Sequence, residues 1–351
     1  MPREAMTSKE RYMAVLSGSK PDRTPTYYRA TPEFTAKLMR HLSCSSYDEL
    51  CHRLHIDRTV NLAPRYVGPP FPPDEDVFGI KYTDIVYGEG SYREAVSHPL
   101  AGYTSVEEIE RNYSWPSPDW YDYSVIPAQL RGREDLPVYG GGSEPFLTYC
   151  DLRGREQAYL DLILHPDIVH YCLDKLFGLA YENTRRIYEA APGKVDITGV
   201  AEDLGSQTSL LMSPSHFGDF LLPRMKRMME LARQAGAKVE CHSDGAIREL
   251  IPTLIEAGMD ILDPVQWRCS GMDRERLKRD FGASLVFHGA MDNQYTLAFG
   301  SVDEVVQEVH DNLAILGQGG GYILGPCHNI QVVSSPENIV AMYETCYFEG
   351  R

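Results

Sequence analysis

The chain has 351 residues, of which 43% are hydrophobic and 24% are charged, ordinary values for a globular protein with one large core or two small ones. Its formal net charge of -16 at pH 7 argues against nucleic-acid binding, since phosphate contacts need clustered Lys and Arg. The sequence lacks an apolar leader, a membrane-length apolar run and any CxxC pair, so we expect a cytoplasmic protein with reduced thiols, whose partners are small molecules or other proteins.

The predicted elements alternate between strand and helix. A first strand is predicted at TPTYY (24–28), after an N-terminal helical segment. From residue 137 onward, β-rich runs alternate with amphipathic helical stretches, which is typical of parallel βαβ units. The runs are PVYGGG (137–142), VDITGV (195–200), AKVECH (237–242), MDILDPV (259–265), SLVFHG (284–289) and GYILGP (321–326). Ser213-Pro214 and Ser301 with Glu304 predict the starts of two of the helices.

Two parallel architectures fit this alternation, the closed barrel and the open doubly wound sheet. A dinucleotide-binding doubly wound fold would show GxGxxG after an early strand, and GGGS at 140–143 has the wrong spacing. We therefore predict a single α/β domain over residues 1–351, a (β/α)8 TIM barrel with an N-terminal helical extension.

Polar side chains follow most of the predicted strands. In such a barrel these positions form one ring around the mouth, where active sites lie. They are Tyr28, Arg29, Glu144, Glu202, Asp203, His242, Asp244, Gln266, Asp292, Cys327, His328 and Asn329. The ring therefore predicts an enzyme site, although Glu202 and Asp203 could also be a solvated loop pair, and Gln266 and Asn329 could simply satisfy loop backbone.

The pattern His242-x-Asp244 indicates a metal site. Residues two apart on an extended segment point to the same side. His328, from another strand end, would complete a set of two imidazoles and one carboxylate, which holds Zn²⁺ with an open position, or Fe²⁺. The neighbouring Cys327 is an alternative ligand or a buried inert thiol. The structural alternative for Asp244 is the N-cap of the helix that follows.

Several stretches resemble the uroporphyrinogen decarboxylase superfamily. They are SKERYMAVLSGSKPDRTP (8–25), GVAEDLGSQ (199–207), ECHSDGAIRELIPTLIEAGMDILDPVQ (240–266), LKRDFGASLVFHGAMDNQ (277–294) and GGGYILGPCHNIQVVSSPENIVAMYE (319–344). The decarboxylases of this superfamily are cofactor-free and have an Arg-rich opening segment, whereas Arg29 is the only arginine in the matching YYRATPEF. The zinc-dependent corrinoid methyltransferases place His-x-Cys after one strand and Cys after a later one. Here His242-x-Asp244 and His328 or Cys327 stand at those positions.

This resemblance implies methyl transfer from a small methoxylated compound or methylated amine to the Co(I) of a corrinoid, with Zn²⁺ polarising the leaving atom. Replacing thiolates by carboxylate and imidazole makes the site harder, which favours an ether oxygen. The chain has no DxHxxG corrinoid-binding pattern, so the corrinoid is expected on a separate partner protein.

Roles follow for the residues of the mouth. The expected catalytic groups are Asp203, Glu202 and Asp292, and the expected substrate-binding groups are Tyr28, Arg29, Glu144, Gln207, Gln266 and Asn329. Two alternatives stay open. One is a metal-free decarboxylase in which Asp203 or Asp292 orients the substrate and His328 neutralises a carboxylate, and the other is a non-catalytic tetrapyrrole- or corrinoid-binding protein.

Overall fold

A computed structural model describes residues 4–350. The strands are β1 (Val60–Leu62), β2 (Arg65–Tyr66), β3 (Tyr82–Tyr87), β4 (Gly90–Ala95), β5 (Tyr121–Asp122), β6 (Val138–Ser143), β7 (Ile197–Ala201), β8 (Lys238–His242), β9 (Ile261–Asp263), β10 (Val286–Met291) and β11 (Tyr322–Pro326). The α-helices are α1 (Ser8–Leu16), α2 (Pro32–His41), α3 (Tyr47–Arg53), α4 (Val106–Asn112), α5 (Ile126–Gln129), α6 (Pro145–Arg153), α7 (Arg155–Leu164), α8 (Pro166–Ala190), α9 (Pro214–His216), α10 (Leu222–Gln234), α11 (Ile251–Ala257), α12 (Arg274–Phe281), α13 (Thr296–Phe299), α14 (Val302–Ile315) and α15 (Pro336–Glu349).

Seven of these strands form one parallel sheet in the order β1-β6-β7-β8-β9-β10-β11. The order follows the chain, and helices connect successive strands, as in repeated right-handed βαβ units. The sheet curls, and its strands are surrounded by the helices. The predicted TIM-barrel-like α/β architecture is thereby confirmed, and each of the six strands predicted after residue 137 is present.

The predicted first strand at 24–28 is reduced to a single residue. Thr26 forms an isolated parallel bridge with Leu324 of β11. On its other side, side chains replace the strand ladder. The Thr26 amide donates to Asp57 Oδ2 at 2.9 Å, and the Asp57 amide donates to Thr26 Oγ1 at 3.3 Å. The prediction of a regular strand was therefore wrong, because the Asp57 side chain takes up the Thr26 amide and the Tyr12 hydroxyl donates to the Thr26 carbonyl, where a neighbouring strand would pair.

Helix α1 closes one end of the barrel. It buries Tyr12, Val15 and Leu16 in a small cluster with the first residues of the strands, namely Ile197, Ile261, Val286 and Ile323. The main core lies between the sheet and the outer helices. Since α1 fills the N-terminal end of the strands, the end that is free for a functional site is the C-terminal one.

Helix starts follow the predicted capping residues with one exception. The Ser213 hydroxyl accepts from the His216 amide, and Ser301 and Glu304 form a capping box. Asp244 was weighed as the cap of the next helix, and this was wrong. That segment begins with a 3-10 turn at Arg248–Leu250 followed by α11, and neither has a side-chain cap. Asp244 is thus not used to start a helix.

A β-hairpin that the sequence did not reveal lies in the segment between β1 and β6. Strands β3 and β4 pair antiparallel and expose Val86 and Tyr92. Tyr87 donates its hydroxyl hydrogen to Gln331 Oε1, so the hairpin lies next to the loop that follows β11. Within residues 4–350, no helix combines the length and the apolar character needed to cross a bilayer.

Candidate active site

Three neighbouring strands bring the main polar groups together. Ala201 of β7 pairs with His242 of β8, and His242 pairs with Asp263 of β9. Asp203 and Asp244 each lie two residues beyond those paired positions. Because parallel strands end at the same rim, the side chains of Asp203, His242, Asp244 and Asp263 meet at the mouth.

Asp203, His242 and Asp244 form a cluster that we call the mouth cluster. One potential ligand atom from each lies within 4.8 Å of the others. All three residues are partly buried. Asp203 Oδ1 and Asp244 Oδ1 are shielded from solvent and have no hydrogen-bond partner among residues 4–350. Buried carboxylate oxygens are normally satisfied, so two orphaned oxygens side by side indicate a place for a ligand.

Asp263 fixes the orientation of His242. Its Oδ2 lies 2.8 Å from His242 Nδ1. Burial lowers the pKa of His242, but the hydrogen bond and charge of Asp263 outweigh it and raise that pKa to about 9. Burial alone would raise the pKa of Asp263, yet the charges of His288 and His242 hold that pKa well below its usual value. Nδ1 of His242 is therefore occupied, and Nε2 is the nitrogen left for a ligand.

Two carboxylates of the mouth, Asp244 and Glu144, are less acidic than usual. Burial raises the pKa of Asp244 from 3.8 to about 6, against the opposing charge of His242. Burial likewise raises the pKa of Glu144, which interacts with His242, Asp203 and Arg29. A pocket that holds several carboxylates with such a penalty is suited to a bound cation or to holding a proton.

The mouth cluster fits a divalent metal ion. It offers two carboxylates with unused oxygens and one imidazole whose other nitrogen bonds a carboxylate. A carboxylate behind the ligating histidine is the usual arrangement at zinc sites. Carboxylate and imidazole donors suit Zn²⁺ and somewhat harder cations better than thiolate-preferring ones.

The third member of the mouth cluster is Asp203, where the sequence predicted His328. Asp203, predicted as catalytic, joins His242 and Asp244, whereas His328 is not part of the group within 4.8 Å among the described residues. Burial lowers the pKa of His328, and the charges of Arg29 and His242 lower it further, so it is a neutral neighbour of the cluster. Cys327 is 3% exposed, and its thiol donates to the Val265 carbonyl at 3.3 Å. Burial keeps the pKa of Cys327 well above its usual value, which favours the inert thiol over the ligand.

Two predicted catalytic carboxylates are engaged elsewhere. Glu202 is 1% exposed, and its oxygens accept from the amides of Phe146 and Leu147 at 2.8 and 3.2 Å, at the start of α6. Asp292 accepts from Arg268 Nε at 2.5 Å and from the Gln294 amide at 3.0 Å. Both carboxylates are engaged by these donors and neither belongs to the mouth cluster, so their catalytic roles stay predictions.

Several predicted substrate-binding residues support loops instead. Gln266 Oε1 accepts from the Gly245 amide at 2.7 Å, and Gln207 Oε1 accepts from the Cys269 thiol at 3.4 Å. The Tyr28 hydroxyl bonds Thr35 at 3.0 Å. The Asn329 carbonyl accepts from Asn293 Nδ2 at 3.5 Å. Of this set, Glu144 and Arg29 remain beside the mouth cluster. Arg29 lies 3.8 Å from Asp263 Oδ2 with its side chain 32% exposed.

Sequence reasoning missed a group of residues inside the barrel. Glu240, Asp263 and His288 bring potential ligand atoms within 4.8 Å of one another. The Tyr27 ring meets the edge of His288 with centroids 4.8 Å apart, so Tyr27, not Tyr28, faces this group. The alternation along β8 was the available signal, because Glu240 lies two residues before His242 and must share its face.

Comparisons with known proteins agree with this fold. The family model "Uroporphyrinogen decarboxylase (URO-D)" matches residues 125–347. A uroporphyrinogen decarboxylase of Pseudoalteromonas atlantica is 24% identical, over 97% of this chain and 98% of its own length. One from Shewanella amazonensis is also 24% identical, over 99% of both. A solved structure described as a methyltransferase from Methanosarcina mazei superposes with a TM-score of 0.69 at 18% identity, covering 98% of this chain and 99% of its own. At that identity the structural likeness concerns the fold alone.

Proposed function

The chain belongs to the uroporphyrinogen decarboxylase (URO-D) family, and within it we propose a Zn²⁺-assisted methyltransferase. The substrate is a small methoxylated compound, or less favourably a methylated amine, and the acceptor is the Co(I) of a separate corrinoid protein. The observation that carries the proposal is the mouth cluster, in which Asp203 and Asp244 each have a buried oxygen without a partner among residues 4–350. The alternative metal-free decarboxylase would use Asp203 to orient its substrate but assigns no role to the buried oxygen of Asp244.

Asp203, His242 and Asp244 would hold the metal. Bound there, Zn²⁺ would supply a Lewis acid for the oxygen of the methoxy group. The donor set is two carboxylates and one imidazole, which prefers oxygen to sulfur as its further ligand. This preference favours a metal ligand that is the ether oxygen of a methyl donor. It disfavours the sulfur of a thiol that would accept a methyl group.

Two further side chains have roles in the same reaction. The partner's corrinoid would supply the electron pair that takes the methyl carbon, and both electrons of the methyl C–O bond would remain on the methoxy oxygen. The leaving oxygen would then need a proton, and Glu144 is the carboxyl group proposed to supply it. Burial and the charge of Asp203 raise the pKa of Glu144, against the opposing charge of His242. Arg29 keeps its guanidinium partly exposed at the mouth, where it can bind an anionic substituent of the substrate.

Elemental analysis of protein purified without added metal tests the proposal. We expect about one zinc per chain, its loss in His242→Ala, and methyl transfer from a methoxylated substrate to a Co(I) corrinoid protein only in the zinc-containing protein. The matched control is His52→Ala, which removes an exposed imidazole from α3 and is expected to keep both properties. Full methyl transfer by metal-free His242→Ala contradicts the proposal.

The second candidate is a metal-free decarboxylase. It is supported by the names of the curated relatives and by the exposed Arg29 beside a neutral His328, a pair that could bind a substrate carboxylate. This function predicts release of CO₂ by protein treated with chelator and loss of that activity in Arg29→Ala. Wild-type protein that contains no metal and releases CO₂ decides in its favour.

A further inference from the structure

A continuous line of hydrogen-bonded and ion-paired groups runs from the mouth cluster into the barrel interior. Asp263 Oδ2 lies 2.8 Å from His242 Nδ1, and Asp263 Oδ1 lies 3.2 Å from His288 Nδ1. The same His288 nitrogen lies 3.1 Å from Glu240 Oε2, which accepts the hydroxyl hydrogen of Tyr139 at 3.1 Å. One carboxylate therefore links the ring at the mouth to a second, deeper ring.

The strand register places these groups at matching heights. His242 pairs with Asp263 across β8 and β9, and Phe287, next to His288, pairs with Leu262, next to Asp263. Asp263 is 7% exposed and His288 is 1% exposed. Burying a carboxylate is costly unless it is paired and hydrogen-bonded. Here two imidazoles provide that pairing, and the Asp263 side chain is held from both sides.

We propose that Asp263 is a positioning residue that holds His242 with Nε2 directed at the metal, and that His288 in turn holds Asp263. The inference rests on the proposed function, because it assigns Asp263 to that same metal site. A terminal ring torsion is broad when nothing restrains it. Without the Nδ1 bond, His242 must be ordered when the metal binds, and the affinity falls.

The deeper group uses its facing atoms on one another. The ligand atoms of Glu240, Asp263 and His288 lie within 4.8 Å of one another, but His288 Nδ1 already bonds Glu240 and lies 3.2 Å from Asp263 Oδ1. His288 Nε2, the nitrogen on the other side of the ring, is buried without a hydrogen-bond partner among residues 4–350. Because the facing atoms are already used, these three residues form a support and not a second metal site. The geometry accordingly predicts about one zinc per chain, and two zinc ions per chain, the second retained in His242→Ala, would overturn this assignment.

Zinc affinity of Asp263 variants, measured by competition with a chromophoric chelator, tests the proposal. We expect Asp263→Ala to weaken zinc binding by roughly 10–100-fold, the usual effect of removing a partner behind a ligating histidine. Asp263→Asn should recover much of this loss, because its amide oxygen still accepts from His242 Nδ1. The visible spectrum of the Co²⁺-loaded protein reports ligand geometry and should change in Asp263→Ala.

The matched control is Asp260→Asn. Asp260 precedes β9 at the opposite end of the barrel and pairs with Lys238 at 2.7 Å. Its substitution is expected to leave the zinc affinity and the Co²⁺ spectrum unchanged, even where it lowers the melting temperature. A structural role of Asp263 alone would likewise shift the melting temperature without altering the Co²⁺ spectrum.

The outcomes separate the two proposals. Wild-type protein that binds neither Zn²⁺ nor Co²⁺ overturns the proposed metal site and this inference together. A folded Asp263→Ala that binds zinc with the wild-type affinity and gives the wild-type Co²⁺ spectrum overturns the positioning role alone. If Asp263→Ala does not fold, His288→Gln decides, because freeing Asp263 must weaken zinc binding and alter the spectrum, and unchanged values refute the role.

Discussion

Replacing Asp244 by Asn should stabilise the metal-free protein while removing its response to zinc. Burial raises the pKa of Asp244 from 3.8 to about 6, a difference equivalent to about 3 kcal/mol of unfavourable interaction with the ionised form. Asp244 is partly exposed and the new amide would still lack a partner, so we expect a net gain of roughly 1–2 kcal/mol. The pKa is raised on folding, so wild-type protein loses stability as the pH rises from about 4 to about 6. The gain should therefore be present above pH 6 and vanish below pH 4.

Urea unfolding with chelator, and again with saturating zinc, measures both parts of this expectation. Zinc at a hundredfold excess over its dissociation constant stabilises a single-site protein by about 2.7 kcal/mol, and Asp244→Asn should lose most of this. Asp84→Asn, on the exposed strand β3, is the matched control and should change neither value. The reasoning is refuted if Asp244→Asn destabilises the metal-free protein at pH 7.5, or if zinc stabilises it as much as the wild type.

Three other substitutions test separate parts of the structure. Cys327→Ala should keep wild-type zinc content, because the buried thiol donates to a backbone carbonyl, and a loss seen by elemental analysis would restore its ligand role. Asp161→Asn should cost about 3–5 kcal/mol in urea unfolding, because it leaves Arg153, now paired at 2.6 Å, as a buried uncompensated charge. Gly142→Ala should cost about 3 kcal/mol or more, seen as a fall in melting temperature, because its Cβ would lie 2.2 Å from the Gly199 carbonyl oxygen at a φ of +131°. An unchanged melting temperature would contradict that packing.

Local sequence pattern predicted the barrel well, because short β-rich runs alternate with helical stretches along the chain from residue 137 onward. It failed where a long-range contact replaces a local one. Thr26 was expected in a regular strand, but Asp57, distant in sequence, takes up its backbone amide. Asp244 was weighed as a helix cap, but the helix starts later and the carboxylate joins the mouth cluster. Neither outcome can be deduced from residues within one helical turn.

The candidate site was only partly predictable for the same reason. His242 and Asp244 share one strand end, so their proximity follows from spacing two. The third member depends on which strand is the neighbour of β8, and the sheet order makes it β7 with Asp203. His328 follows β11, which is not adjacent to β8 in the sheet. The sequence alone did not reveal the role of Asp263, because it depends on the strand register. Only the pairing of β8 with β9 brings Asp263 level with His242.

Under the proposed function, the chemistry of this chain depends on a few side chains on a backbone that its relatives share. Asp203, His242 and Asp244 come from two strand ends, and Asp263 comes from a third. None of the four starts a helix or belongs to the apolar core. A single fold can thus carry either a metal-binding mouth or a metal-free one. Metal content, more than overall similarity, is the property that separates methyl transfer from decarboxylation in this protein.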